Sequence, residues 1–301
     1  MSDGKTPAHP GVIGIDHVIV ATADLAAAAA RWQALGLQLT PPMRHAGAST
    51  ENSVFFVGGT GTEFYVELLA VHDRARAEEE GRHDLLDAID RGGLHRLMLQ
   101  IGSAEAATAA LAAHGIETSS REVHRDDRSR IGTVVEPAGP TPAGCLFALV
   151  AYDGGAEARR ARHDAAGLLR HDLPLARLDH LAVIAPDSVD AACAFWDTVL
   201  GVSVTGRVTG LGMDIRQLRI GDATLEIIGP DGADSLIHRR PAGLASVTAF
   251  EVADLDAVVA EVRRRGFDLV DPAPGVLPGS RVATVSPEQL GGLALQLIAF
   301  G

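Results

Sequence analysis

Two histidines open apolar runs in nearly the same words. His17 lies in IDHVIVATADL (Ile15–Leu25) and His180 in LDHLAVIAPDS (Leu178–Ser188). Each is followed by a glutamate inside a later apolar run, Glu67 in EFYVELLAV and Glu226 in ATLEIIGP, 50 and 46 residues further on. A carboxylate within an apolar strand needs a partner, a metal ion or a raised pKa to offset its desolvation. A histidine at the mouth of an apolar strand has a plainer reading too, as a half-buried ring with a hydrogen-bond partner. Both readings stand at this level.

The elements around these residues repeat. Each histidine run leads into a helical pattern, DLAAAAARWQALG or DSVDAACAFWDTVLG. Asp24 is a natural N-cap of the first, and Asp187 or Ser188 of the second. Trp32 and Trp196 hold matching places, and Gly36 and Gly201 are C-terminal stops. Strand-like stretches follow, the last carrying the glutamate. Two weaker copies fill the gaps: LHRLMLQIGSAEAATAALAAHG begins with His95, SVTAFEVADLDAVVAEVRRRG has the same form, and they close with CLFALVAY and LALQLIAF. The expected organisation is a first domain at 11–153, with modules about 13–75 and 92–153. A linker at 154–175 follows, with room for a short helix. The second domain is 176–301, with modules about 177–232 and 243–301.

Composition narrows the function classes. The 301 residues are 47% hydrophobic and 22% charged, enough apolar area for two cores. A net charge of −13 is wrong for gripping nucleic acid or an anionic membrane. Cys145 and Cys193 lie in separate halves, so no disulfide framework is expected. The N-terminus has no secretory signal and no run approaches a membrane span, which points to the cytoplasm. GGTGT (Gly58–Thr62) reads as a hairpin turn rather than a phosphate cradle, and HRDDRSR (His124–Arg130) as a solvated loop.

The pattern resembles the vicinal oxygen chelate superfamily, through DHV at Asp16–Val18, DHL at Asp179–Leu181, YVELLA at Tyr65–Ala70, LEIIGP at Leu225–Pro230 and FEVADLDA at Phe250–Ala257. The first half is closest to the glyoxalase-like subgroup, through RHAGASTENS followed by YVELLAV. The resemblance implies an α+β fold of four βαβββ modules, paired into two domains with cup-shaped curved sheets. It also implies one divalent metal ion (Fe2+, Zn2+, Mn2+, Ni2+ or Co2+) held by residues of the opening and closing strands. In the first domain those positions are His17, Glu67, His95 and about Ala148, where the fourth ligand is lost. In the second they are His180, Glu226, Val247 and Gln296, a weaker set because valine cannot ligate. His45 and Asn52, in PPMRHAGASTENS, and Tyr65, which alternates with Glu67, are the expected substrate-binding residues. Glu67 is the expected base if it is not a ligand. The remaining histidines, among them His163 and His171, read as surface residues.

The leading expectation is a metal-dependent, glyoxalase- or epimerase-like lyase or isomerase acting on a small carbonyl-bearing molecule. The alternatives are an extradiol-type ring-cleaving dioxygenase with iron(II) and a non-catalytic cup for a drug or metabolite. A monomer or homodimer is expected, since two domains in one chain need no partner to complete a cup.

Overall fold

The computed structural model describes residues 8–58, 63–124 and 128–301. Gly59–Thr62 of the expected turn and residues 125–127 of the expected loop lie outside them.

The first domain runs β1 (Val12–Ala21), α1 (Leu25–Leu35), β2 (Met43–Arg44), β3 (Thr50–Val57), β4 (Phe64–Val71), α2 (Arg74–Glu79), α3 (His83–Arg91), β5 (Gly93–Ile101), α4 (Ala104–Ala113), β6 (Thr118–His124), β7 (Arg130–Pro137) and β8 (Phe147–Tyr152). A helix, α5 (Ala156–Ala165), joins it to the second domain. That domain runs β9 (Arg177–Ile184), α6 (Val189–Thr198), β10 (Val204–Gly210), β11 (Met213–Ile220), β12 (Ala223–Pro230), a 3-10 turn (Leu236–Arg239), β13 (Gly243–Glu251), α7 (Leu255–Arg264), β14 (Ala273–Pro274), β15 (Ser280–Val285) and β16 (Ala294–Phe300).

Each domain is one curled eight-stranded sheet. The orders are β2-β3-β4-β1-β5-β8-β7-β6 and β10-β11-β12-β9-β13-β16-β15-β14, which superimpose term by term. The α+β fold of paired modules that the resemblance implies is therefore the fold observed. Each module starts its helix with a side-chain cap. Asp24 accepts from Ala27 N at 2.9 Å, Ser103 from Ala106 N at 3.2 Å, Ser188 from Ala191 N at 3.1 Å and Asp254 from Ala257 N at 3.0 Å. Of the two possible caps of α6, Ser188 is the one used.

Strand alternation sorts the side chains onto two faces. On β1, Val18 and Val20 enter an apolar core that also holds Trp32, Leu68, Leu97 and Leu149, and continues into Leu181, Trp196 and Leu295 of the second domain. Ile19 and Ala21 face the other way, with Leu69, Met98 and Ala148. The shared core is sealed across the domains: Trp196 Nε1 donates to the Ala143 carbonyl at 3.0 Å, and Phe64 meets Phe250 at 5.9 Å between ring centres. Gly93 and Gly292 touch backbone to backbone, and a Cβ on Gly292 would stand 2.6 Å from Gly93 N.

Two features depart from the sequence reading. Residues between the first two modules form α2 and α3. The segment read mainly as a linker is fastened to the first domain: His171 Nε2 meets the Phe56 carbonyl at 2.6 Å, Gln38 N donates to His171 Nδ1 at 2.9 Å, and Leu173 is fully buried. His163 and His171 are thus not surface residues; each packs on Phe55 or Phe56. No helix among the described residues is long and apolar enough to cross a membrane.

A core shared by both domains predicts one cooperative unfolding transition. Trp196→Ala should cost about 3–5 kcal/mol in a denaturant titration. Two well-separated transitions in the wild type would contradict the shared core.

Candidate functional site

The parallel pairing of β1 with β4 builds the site. His17 lies beside Tyr65 and Ile19 beside Glu67, so His17, Tyr65 and Glu67 share the sheet face opposite the core. β3 adds Asn52 from the neighbouring strand, and the β2–β3 turn adds His45. That turn is held from outside by α2: Ser49 Oγ donates to Glu80 at 2.8 Å, and Arg76 donates to the Gly47 carbonyl.

Glu67 is the centre of this group. It is 8% exposed and accepts from Asn52 Nδ2 at 2.7 Å. His17 Nε2 stands 3.4 Å from its Oε2, and His45 Nε2 3.8 Å from its Oε1. Both imidazoles are anchored through their other nitrogen. His17 Nδ1 meets Asp16 Oδ2 at 2.6 Å, and His45 Nδ1 meets Thr50 Oγ1 at 2.8 Å. The Tyr65 ring stacks on His17 at 4.1 Å between ring centres. Tyr65 Oη lies 3.4 Å from Tyr152 Oη, and Tyr152 donates to Asp16 at 2.7 Å.

The electrostatics follow from these contacts. Burial disfavours the His17 imidazolium, but Asp16 and Glu67 outweigh it and the net shift is upward. Burial disfavours the Glu67 carboxylate, yet His17, His45 and Asn52 bring its pKa down to about 2. Glu67 is thereby a firm anion, better suited to holding a cation than to accepting a proton. Burial first, then neighbouring charge, pushes Tyr65 and Tyr152 well above their usual range, so both remain phenols at neutral pH.

Sequence reasoning and structure agree in bringing His17, Glu67, His45, Asn52 and Tyr65 together. His95 is elsewhere. On β5, Arg96 pairs with Ile19 and Leu94 with Val20, so His95 falls in the irregularity between them. Ala148 pairs with Met98 just as Glu67 pairs with Ile19, which makes Arg96, not His95, the register counterpart of His17. His95 Nε2 instead approaches Asp84 of α3 at 3.6 Å. This half of the face is apolar, and Leu85 and Ala88 of α3 pack onto Ile19, Leu69, Met98 and Ala148. Asp16 and Tyr152 were missed as site residues, although an aspartate precedes the histidine in both strong modules.

The second domain repeats part of the plan. His180 Nδ1 meets Asp179 at 2.7 Å and His180 Nε2 lies 4.0 Å from Glu226. Gln217 donates to Glu226 at 3.2 Å. Gln296 donates to Thr284 at 3.4 Å and pairs along the strand with Ala249, two residues from Val247.

Among the described residues, no three His, Cys, Asp or Glu side chains stand in a ready-made metal-holding arrangement. The donor chemistry around Glu67 nevertheless fits a divalent ion. Two imidazoles and a carboxylate converge, and each ring is oriented by a hydrogen bond at Nδ1, as outer groups orient metal-bound histidines.

Comparison with known proteins agrees with this architecture. A glyoxalase-like domain model matches residues 15–170, and a model of the glyoxalase/bleomycin resistance protein/dioxygenase superfamily matches 179–284. No curated protein matches the chain. Among solved structures, a hypothetical protein from Staphylococcus aureus is 10% identical, covering 96% of this chain and 100% of its own with a TM-score of 0.67. A xylose isomerase-like TIM barrel/4-hydroxyphenylpyruvate dioxygenase fusion protein is 15% identical, covering 100% of this chain and 51% of its own at 0.59. Methylmalonyl-CoA epimerase from Mycobacterium tuberculosis is 24% identical, covering 42% of this chain and 89% of its own at 0.38. At these identities the likeness to the first two concerns the fold alone.

Burial, then the charge of Arg96, lowers the His95 pKa to about 4. The unfolded chain, with this ring near 6.5, binds the proton more tightly than the folded one. Stability therefore falls as pH drops from about 6.5 towards 4. His95→Gln should flatten the wild-type loss of melting temperature over that range, and an identical slope in the two proteins would contradict the burial argument.

Proposed function

The chain belongs to the glyoxalase-like part of the vicinal oxygen chelate superfamily, and on that premise we propose a divalent-metal-dependent enzyme of the isomerase or lyase type. Its substrate is a small, carbonyl-bearing molecule and its site lies in the first domain. One observation carries this reading: two histidines anchored at Nδ1 turn their Nε2 atoms towards the two oxygens of Glu67, which is held as a carboxylate.

His17, His45 and Glu67 would hold the ion. A divalent ion supplies Lewis acidity towards a carbonyl or enolate oxygen. The residues around it orient and exclude water. Asp16 fixes the His17 ring, Asn52 fixes the carboxylate, and Tyr65 forms a flat wall against His17. Tyr65 and Tyr152, kept neutral, can donate a proton or a hydrogen bond but not accept a proton at neutral pH. The role of Glu67 as a base, expected if it were not a ligand, gives way to that of ligand in this proposal, because a carboxylate with a pKa of about 2 is a weak proton acceptor.

The same donor set also suits iron(II) with positions open for oxygen, which keeps a ring-cleaving dioxygenase as the second reading. Oxygen uptake with a catechol separates the two. The second domain is proposed as a packing partner, since His180 and Glu226 have no second imidazole beside them among the described residues.

Protein purified without chelators should carry about one divalent ion per chain by elemental analysis. His17→Ala with Glu67→Ala should lose it, His45→Ala should weaken it, and His95→Ala should keep it. No metal in the wild type, even after soaking, would leave a metal-free binding cup as the better description. A proton on His17 competes with the ion, and its raised pKa keeps that proton to higher pH. Apparent metal affinity should therefore go on rising above pH about 6.5, as a titration at several pH values would show.

A further inference from the structure

We propose that Tyr152, braced by Arg159 of α5, is a positioning residue for His17 and acts through Asp16. Tyr152 Oη donates to Asp16 Oδ2 at 2.7 Å, and His17 Nδ1 meets that same oxygen at 2.6 Å. Asp16 is 1% exposed, so water has little access to replace either donor. One carboxylate oxygen gripped by two donors is fixed in direction as well as in charge. Asp16 then serves as the acceptor of a proton on His17 Nδ1, and the bare Nε2 of the ring is presented towards Glu67.

Arg159 supports the phenol from the other side. Its guanidinium carbon lies 4.0 Å from the Tyr152 ring centre, and the residue is 9% exposed. Glu63 lies 3.8 Å from its Nε, and its Nη2 has no hydrogen-bond partner among the described residues. The Tyr152 ring is therefore a main counter-surface for this buried charge. A cation over the ring holds the phenol in place and draws electron density from it, which sharpens its hydroxyl as a donor. α5 is itself pinned, since His163 stacks on Phe56 at 4.1 Å and meets Glu63 at 2.9 Å. Tyr65 closes the circuit, with its hydroxyl 3.4 Å from that of Tyr152 and its ring on His17. A helix outside the four repeated modules thus reaches the metal-facing nitrogen through three side chains.

The inference rests on His17 being a ligand for its consequence, but not for its geometry, and the test separates the two. Cobalt(II) affinity would be measured by its visible spectrum in the wild type, Tyr152→Phe, Asp16→Asn and the double variant. Tyr152→Phe keeps the ring under Arg159 and removes only the donor. It should lower affinity about tenfold, the usual cost of losing an outer orienting group. In the Asp16→Asn background the same change should cost nothing further, because the path through Asp16 is already broken. An equal loss in both backgrounds, or no loss in the wild-type background, would overturn the proposal. The second readout needs no metal. The 15N spectrum of His17 in metal-free protein, at a pH where the ring is neutral, should show the Nδ1–H tautomer, and Tyr152→Phe should shift it to a mixture. An unchanged tautomer would overturn the proposal even if the cobalt data agreed. If the wild type binds no cobalt, the metal reading fails while the 15N spectra still decide the role of Tyr152.

Discussion

A carboxylate placed in an apolar sheet loses several kcal/mol of hydration unless other groups replace the water. Glu67, at 8% exposure, is such a group, and the first domain is organised around it. Asn52 replaces one water, and the imidazoles of His17 and His45 supply opposing charge or, with an ion between them, shared ligation. These groups in turn need their own partners, which Asp16, Thr50 and Tyr152 provide. The demand of one buried anion thus propagates outward through two layers of side chains.

The repeat explains why this demand is met in one place and not four. In both domains the parallel register puts the histidine beside the residue two before the glutamate, Tyr65 in one and Thr224 in the other. The strong modules therefore each make a histidine–glutamate pair. The weak modules present Arg96 and Ala148, or Val247 and Gln296, at the matching points. The first cup gains a second imidazole from its β2–β3 turn. In the second cup, Gln217 lies directly across from Glu226 and takes its Oε1.

Segments outside the modules do much of the positioning. α2 holds the turn that carries His45. α3 lies on the apolar half of the first cup, tied down by Arg96, which bridges Asp84 and Glu136. α5 sets Arg159 over Tyr152. The repeated framework is generic, and these insertions distinguish the first cup from the second.

The sequence carries the repeat in capping residues, glycine stops and apolar runs, local signals that survive without neighbours, and it points to the α+β fold and the pairing of His17 with Glu67 only through motifs that resemble the vicinal oxygen chelate superfamily. It also brought His45, Asn52 and Tyr65 into the right neighbourhood through their motifs. The helical segment HDLLDAIDR was legible in principle, since Leu85, Leu86 and Ile89 follow helical spacing, but nothing local says which surface it covers. The tertiary structure decided what depends on register and long-range contact. Arg96, paired with Ile19, holds the place expected of His95, which falls one residue away in the irregularity between Ile19 and Val20, a slip that composition does not reveal. Tyr152 meets Asp16 across 136 residues of chain, and α5 with the segment after it joins the first domain only because Arg159, His163 and His171 find partners there. Such contacts are set by how strands pair and curl, and a single strand's own pattern carries no trace of its distant neighbour.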